Sequence, residues 1–359
     1  MLRYADMLQQ ELNSQGHEVR IIYPPVVFGR LSFFPGLLQK WIGYIDKYLL
    51  APAYLQKQVR HTDVIHICDH SNAMYLKCAK NRPTVITCHD LLAVFAARGI
   101  FPGIRIGFTG RIQQRWIAAS LSRAKHIVCV SAKTQDDLES LVPGIRPRTT
   151  VIHHHLNWNY SPADSYAVTK AKSEAGLSPE DEYLLHVGGN QWYKNRLGVM
   201  RIFFVLRKHP RFQQTKLIMA GKPWTVEMRR YCISSGLAGE IIERAEVSND
   251  ELEALYSGTT ALLFPSVEEG FGWPVLEAQA CGCPVITSSR PPMTEIAGDA
   301  ALFIDPSDPL RAAELIAEHA TDLPSLRAAG FRNLTRFAKN KTISRYSELY
   351  QRVIDSERQ

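Results

Sequence analysis

The stretch "EEGFGWPVLE", Glu268 to Glu277, places carboxylates at both ends of a segment holding two glycines and a proline. It lies between two apolar runs, "TALLFPS" (260–266) and "PVITSS" (284–289), where a plain connection needs only one or two turn residues. Gly270 and Gly272 let a backbone turn sharply and approach a ligand with no Cβ in the way. Proline suits the first turn of a helix, so a helix is expected to begin near Pro274, with Gly282 ending it as the residue after its C-cap. Backbone N–H groups from Phe271 to Trp273, with the helix dipole behind them, favour an anion. Glu277, expected in the first helical turn, and Glu269, at the loop entrance, are then two carboxylates beside an anion site. That combination suits a ligand carrying phosphate and several hydroxyls, as a nucleotide sugar does. The same residues also fit ordinary dipole complementation in a Gly-x-Gly connection, and spacing alone leaves both readings open.

The elements that must position this loop follow from periodicity. Short apolar runs read as strands at 19–25, 63–68, 84–90, 126–131 and 149–155, then at 182–189, 215–221, 239–245, 260–266, 284–289 and 301–306. Helical periodicity falls at 1–15, 40–60, 109–123 and 132–141, and later at 194–208, 224–236, 249–257, 274–281 and 309–320. Continuous Val/Ile/Leu strands alternating with helices predict buried parallel sheets, hence a doubly wound α/β fold. A length of 359 residues predicts two domains. Periodicity lapses near "LNWNYSPADSY" (156–166), which sets the expected domains at 1–160 and 161–335, with a helical segment at 336–359 packing back towards the first. Two Rossmann-like domains with a cleft between them are the expected architecture.

Composition narrows the class. A hydrophobic fraction of 45% and a charged fraction of 21% are those of a globular protein, and no run approaches the length of a membrane span. The beginning of the chain lacks the apolar core and cleavage site of a signal peptide. Cysteines at 68, 78, 88, 129, 232, 281 and 283 sit mostly in apolar runs, which fits free thiols in a reducing cytoplasm. Cys281-Gly-Cys283 has the wrong spacing for a common zinc site and no second pair. Residues 1–160 hold 19 Lys/Arg against 10 Asp/Glu, a net of +9, and the remaining residues hold 23 against 25, a net of −2. A basic first half, with the mixed aromatic and basic segment 28–50 (Phe33, Phe34, Leu37, Leu38, Trp41 and Ile42 among Arg30, Lys40 and Lys47), is expected to meet an anionic membrane surface at the cytoplasmic face or a polyanionic acceptor, unless that segment is a core helix with a lid loop. No nucleic-acid partner is expected.

Glu269, seven intervening residues and Glu277 resemble the E-x₇-E signature of retaining glycosyltransferases of family 4. The blocks "HEVRIIYP", "TCHDLLAV", "AKHIVCVSAKTQDDL", "LLHVGGNQWYKNR", "LIMAGK", "VSNDELEALYSGTTALLFPS" and "GDAALFIDPSDP" follow in that family's order over most of the chain. The resemblance implies the GT-B fold and transfer of a hexose, mannose or glucose in type, from a GDP- or UDP-sugar to a glycan or lipid-linked acceptor in polysaccharide synthesis. It implies Glu269 at the donor sugar, Glu277 at the ribose, and Gly270, Phe271 and Gly272 offering backbone to the sugar. It also implies Lys194 at the leaving diphosphate, and His89, in "TCHD", facing sugar and phosphate from the first domain. Retention by a front-face route, in which the leaving phosphate takes the acceptor's proton, is implied as well, with no metal or other cofactor.

Two departures stand out. Where many relatives carry an arginine after Gly188, this chain has Gly189, so Arg196 or the amides of Asn190 and Gln191 are expected to compensate. The chain also opens inside the family's first helix, so the first strand and its glycine-rich loop are expected upstream of Met1, the alternative being a variant whose sheet closes differently. "HHH" at 153–155 reads as interdomain linker rather than metal site. A non-catalytic nucleotide-sugar-binding member and a sugar-nucleotide 2-epimerase remain the alternatives.

Overall fold

The computed structural model describes residues 2–28, 43–79 and 82–358. The chain forms two compact units, Met1–His153 together with Asn340–Gln359, and His154–Lys339. Both are α/β units built on parallel sheets.

The first unit holds β1 (Ile65–Ile67), β2 (Thr84–Cys88), β3 (His126–Cys129) and β4 (Thr149–Val151), side by side in that order. Every residue of β2 is buried, and "TVITC", β-branched at four of its five positions, suits a central strand. Helix α1 (Leu2–Ser14) buries Tyr4, Leu8 and Leu12, one residue per turn. Helix α2 (Phe108–Leu121) buries Ile117, Ala118 and Leu121. A polar cluster joins these layers to the chain's last helix. Tyr4 Oη lies 2.6 Å from Tyr346 Oη and 3.1 Å from Thr87 Oγ1, while His66 sits between Tyr350 Oη and Thr87 Oγ1 at 2.7 Å each. Buried hydroxyls and imidazole are tolerated there because each finds a partner.

Residues 19–25 do not form the expected strand. A strand exists only where its backbone pairs with a neighbour, and here side chains hold the backbone instead. Gln9 Nε2 donates to Val19 O at 2.9 Å, Val19 N donates to Asn13 Oδ1 at 3.0 Å, and Arg20 Nη2 donates to Gln58 O at 2.8 Å. The helical expectation for 40–60 is met by a π-turn at Asp46–Leu50 running into a helix at Ala51–Gln58. Of the aromatic segment 28–50, the residues from Phe33 to Ile42 lie outside the described residues. Among the described residues no helix is long and apolar enough to cross a membrane.

The second unit holds β5 (Tyr183–Gly188), β6 (Lys216–Gly221), β7 (Ile241–Ala245), β8 (Ala261–Phe264), β9 (Val285–Ser288) and β10 (Leu302–Ile304). Their order is β10-β9-β8-β5-β6-β7. The chain therefore builds outwards from β5 in one direction, then returns to place β8 on the other side of β5. That reversal is the topological switch point of a doubly wound sheet, where the carboxyl-end loops part and leave room for a ligand. Helices α3 (Arg196–Leu206), α4 (Asn249–Gly258) and α5 (Trp273–Ala280) follow β5, β7 and β8, and α6 (Lys339–Arg358) closes the chain.

Candidate donor-binding site at the switch point

The loops after β5 and β8 leave adjacent strands at the switch, and two hydrogen bonds fasten one to the other, while a third reaches the loop after β10. Asn195 takes the left-handed conformation (φ 53°), and its Nδ2 donates to Pro265 O at 3.0 Å and Pro306 O at 3.1 Å. Val267 N donates to Tyr193 O at 2.9 Å. Lys194, between them, is thereby aimed at the β8 loop. Its Nζ donates to Glu269 Oε1 at 2.6 Å and stands 5.1 Å over the Phe264 ring. The pair is largely withdrawn from water, with 17% and 8% of the two side chains exposed. Such a charge-assisted bond contributes more than a surface ion pair does.

Glycines bring backbone close on the other side of β5. Gly188 is in register with Gly221 (φ 138°), and a Cβ at Gly221 would collide with the Gly188 carbonyl. A Cβ at Gly188 would stand 3.2 Å from His186 Nε2. His186 is fully buried, and its Nδ1 donates to Leu263 O at 2.9 Å. Burial, reinforced by Arg196 and Lys194, lowers its pKa to about 3, so the ring is neutral.

Arg196, only 4% exposed, works as a clasp. Its Nη1 donates to Asn190 Oδ1 and, at 2.7 Å, to Lys222 O, while Asn190 Nδ2 donates to Pro223 O at 2.7 Å. The loops after β5 and β6 are joined in this way. The Nε and Nη2 groups of Arg196, the edge that grips an oxyanion with two parallel bonds, have no partner among the described residues. Burial lowers its pKa. At Gly189 a side chain would run into that of Gln191.

The β8 loop ends at Gly272 (φ 103°), the N-cap of α5, where a Cβ would run into the Met293 side chain. Trp273 is the first helical residue and Pro274 the second, so Glu277 falls in the second turn. The expectation of a first-turn carboxylate is thus corrected, and dipole complementation does not account for Glu277. Side chains hold it instead. Tyr256 Oη donates to Oε2 at 3.0 Å and Asn157 Nδ2 donates to Oε1 at 3.3 Å, on a residue only 6% exposed. Burial, with the Glu277 charge beside it, pushes the Tyr256 phenol well up, so it stays a donor. Phe271 is buried edge-on against His154, whose ring stacks on Trp273 at 4.6 Å, and Trp273 Nε1 donates to His155 O at 3.0 Å. "HHH" therefore supplies two residues that brace the glycine loop.

Lys194, Glu269, Gly270, Phe271, Gly272, Glu277, Gly188, Gly189, Asn190 and Arg196 all belong to the second unit, at the end of β5, on the carboxyl-end loops and on α3 and α5. His89 belongs to the first, at the carboxyl end of β2. It is 5% exposed, its Nε2 donates to Cys68 O at 2.8 Å, and burial lowers its pKa to about 4. Tyr256, Asn157 and Asn195 are the site residues that sequence reading missed. Asn195 had a signal, the asparagine of "YKN", whereas nothing local marks Tyr256 or Asn157 as partners of Glu277. Among the described residues no cluster of three or more His, Cys, Asp or Glu side chains could hold a metal ion, and all seven cysteines are free.

Residues 168–330 match the family model described as glycosyl transferases group 1, and residues 1–157 match that of glycosyltransferase family 4. The chain belongs to the family 4 glycosyltransferases. Within the family it is 28% identical over 243 residues to O-antigen chain mannosyltransferase B of Escherichia coli, across 67% of this chain and 61% of that protein. It is 27% identical over 229 residues to O-antigen chain mannosyltransferase RfbU of Salmonella typhimurium, across 63% and 58%. These matches span about three fifths of the relatives' own lengths. In fold it is similar to sucrose-phosphate synthase from Thermosynechococcus elongatus, with a TM-score of 0.74 at 19% identity over 98% of this chain and 93% of that one. It is also similar to Anabaena HepE in complex with UDP and glucose, with a TM-score of 0.71 at 16% identity over 95% and 88%. The fold is therefore GT-B, two Rossmann-like domains.

Proposed function

We propose that this protein transfers a hexose, mannose or glucose in type, with retention of configuration, from a GDP- or UDP-sugar to a glycan or lipid-linked acceptor of a surface polysaccharide. The observation that carries the reading is the buried Lys194–Glu269 pair at the switch point, beside Glu277 and the close-approach glycines. Breaking a sugar–phosphate bond develops positive charge at the sugar and negative charge on the leaving diphosphate. Lys194 meets the diphosphate and Glu269 the sugar hydroxyls, so one ion pair matches both developing charges. Glu277, oriented by Tyr256 and Asn157, accepts hydrogen bonds from the ribose. Arg196 adds charge beneath the β5 loop in place of the arginine missing at Gly189.

The names of the relatives support a mannosyl donor, and the UDP and glucose held by HepE support a nucleotide sugar as the class. Held neutral by burial, His89 acts through hydrogen bonding rather than as a cation. The leaving phosphate takes the acceptor's proton in a front-face step, and no metal is required. A lipid-linked acceptor would bring the protein to the cytoplasmic face of an anionic membrane.

The test offers GDP-mannose, UDP-glucose and UDP-galactose in turn, with and without a chelator, and follows nucleoside diphosphate release and the anomer formed. Release with one donor, undiminished by chelator, is the expected result. Binding without release would leave a non-catalytic binding protein, and a free epimer in the mixture would make it an epimerase.

A further inference from the structure

Helix α2 has two apolar faces, and the protein covers only one. Ile117, Ala118 and Leu121 are buried. Phe108, Arg111, Ile112, Arg115, Trp116 and Ala119 are exposed and recur every three or four residues, so they form one stripe along the opposite side. Phe108 is 74% exposed and Ile112 48%, and Ile100, in the loop before the helix, is 54% exposed. A solvated helix face ordinarily carries both signs of charge in place of such residues.

The stretch of sequence that carries this stripe has charge of one sign. From Leu91 to Gln135 the chain holds Arg98, Arg105, Arg111, Arg115, Arg123, Lys125 and Lys133 and not one aspartate or glutamate. Arg98, Arg105, Arg111 and Arg115 are exposed, and none has a carboxylate partner among the described residues. Trp116 is already oriented, since Tyr48 stacks on it at 5.1 Å and Lys77 Nζ lies 5.2 Å over its ring. An aromatic held in place loses little conformational freedom on docking.

We propose that this face of α2 docks the protein on an anionic bilayer, with Phe108, Ile112 and Trp116 entering the headgroup boundary and Arg105, Arg111 and Arg115 meeting lipid phosphates. The inference deepens the proposed function, from which it takes the need to reach a lipid-linked acceptor. It names a different element from the aromatic segment 28–50. Fourteen residues make a helix about 21 Å long, too short to span and suited to lying in the interface. Each basic residue near such a surface adds attraction to the lipid phosphates, and the apolar side chains add the burial that distinguishes a membrane from a soluble polyanion. A second copy of the chain is a poor occupant, because a two-fold contact would set arginine against arginine.

The test sediments the full chain with vesicles of phosphatidylcholine alone and with phosphatidylglycerol added. Binding only to the anionic vesicles, weakened by salt, is expected. Phe108→Ser with Ile112→Ser should weaken it at least tenfold, and Arg111→Glu with Arg115→Glu should abolish it. Both variants alter exposed side chains, so their melting temperatures and nucleoside diphosphate affinity should match the parent protein. Binding to neither vesicle, equal binding to both, or variants that bind like the parent would overturn the proposal. So would a dimer in solution that the serine variant dissolves. Vesicle binding without any nucleotide binding would instead defeat the donor-site reading and leave this one standing.

Discussion

Lys194 and Glu269 stand 75 residues apart in the chain and 2.6 Å apart in the fold, each on a loop that leaves one side of the switch point. In the structure each satisfies the other. The proposed chemistry needs both of them to face the donor instead, so the ion pair holds in advance the two charges that the reaction draws apart.

That relationship sets the sign of a first pair of effects. Glu269→Gln removes the carboxylate that competes for Lys194, so nucleoside diphosphate affinity should hold or rise, by up to about tenfold for a gain near 1.4 kcal/mol. Transfer should fall at least about a hundredfold. Lys194→Ala should chiefly slow turnover, because charge on the leaving diphosphate grows in the transition state. Calorimetry on the nucleoside diphosphate, beside turnover numbers, separates the two. A Glu269→Gln protein that loses diphosphate affinity would contradict the arrangement.

Glu277 and Tyr256 should respond as a unit. Glu277→Ala should weaken donor binding about tenfold to a hundredfold, the loss expected of charge-assisted bonds to ribose worth roughly 1.5–3 kcal/mol. It also strands the fully buried Tyr256 hydroxyl, which should lower stability by about 1–3 kcal/mol. Tyr256→Phe should raise KM for the donor several-fold with little change in kcat, since it releases the orientation of Glu277 rather than removing it. Unchanged nucleotide affinity in Glu277→Ala would end the ribose assignment.

Asn195 is a positioning residue with two separable functions. Its φ of 53° suits Asn or Gly, while its amide ties the turn to Pro265 and Pro306. Asn195→Ala loses both, at about 1–2 kcal/mol of backbone strain plus roughly 1 kcal/mol per hydrogen bond. Asn195→Gly keeps the backbone and loses the tethers. If the tethers aim Lys194, the glycine variant should recover much of the stability but little of kcat. Parallel recovery of melting temperature and kcat would make the role purely structural.

Stability should decline in mild acid. Burial lowers the pKa of His66 to about 3, of His89 to about 4 and of His186 to about 3, against about 6.5 in the unfolded chain. Between those values the unfolded chain binds protons that the folded chain refuses, so stability rises with pH through this window. The contribution is complete above about pH 6.5 and is lost progressively as pH falls towards 4, at up to about 1.4 kcal/mol per pH unit for each histidine. Urea midpoints across this range check the slope, and His89→Asn should make it shallower. A midpoint that holds steady or climbs down to pH ~5 would contradict the assignment.

The sequence by itself determined the layers of this protein and the place of its site. Runs dominated by apolar and β-branched residues, such as "TVITC" and "YLLHVG", satisfy their backbones and bury both faces inside a parallel sheet, and glycines at Gly188 and Gly272 mark where backbone must turn or come close. The order of the strands was another matter, because pairing partners are chosen by packing over long chain distances and not by local periodicity. Residues 19–25 carry the composition of a strand, yet side chains of Gln9 and Asn13 hold their backbone instead. Only the tertiary structure set β8 beside β5, and with it Glu269 against Lys194. Only the tertiary structure brought Tyr256 and Asn157 to Glu277 and left the arginine-rich face of α2 uncovered, since a hydrogen bond or an exposed stripe depends on which distant surfaces meet.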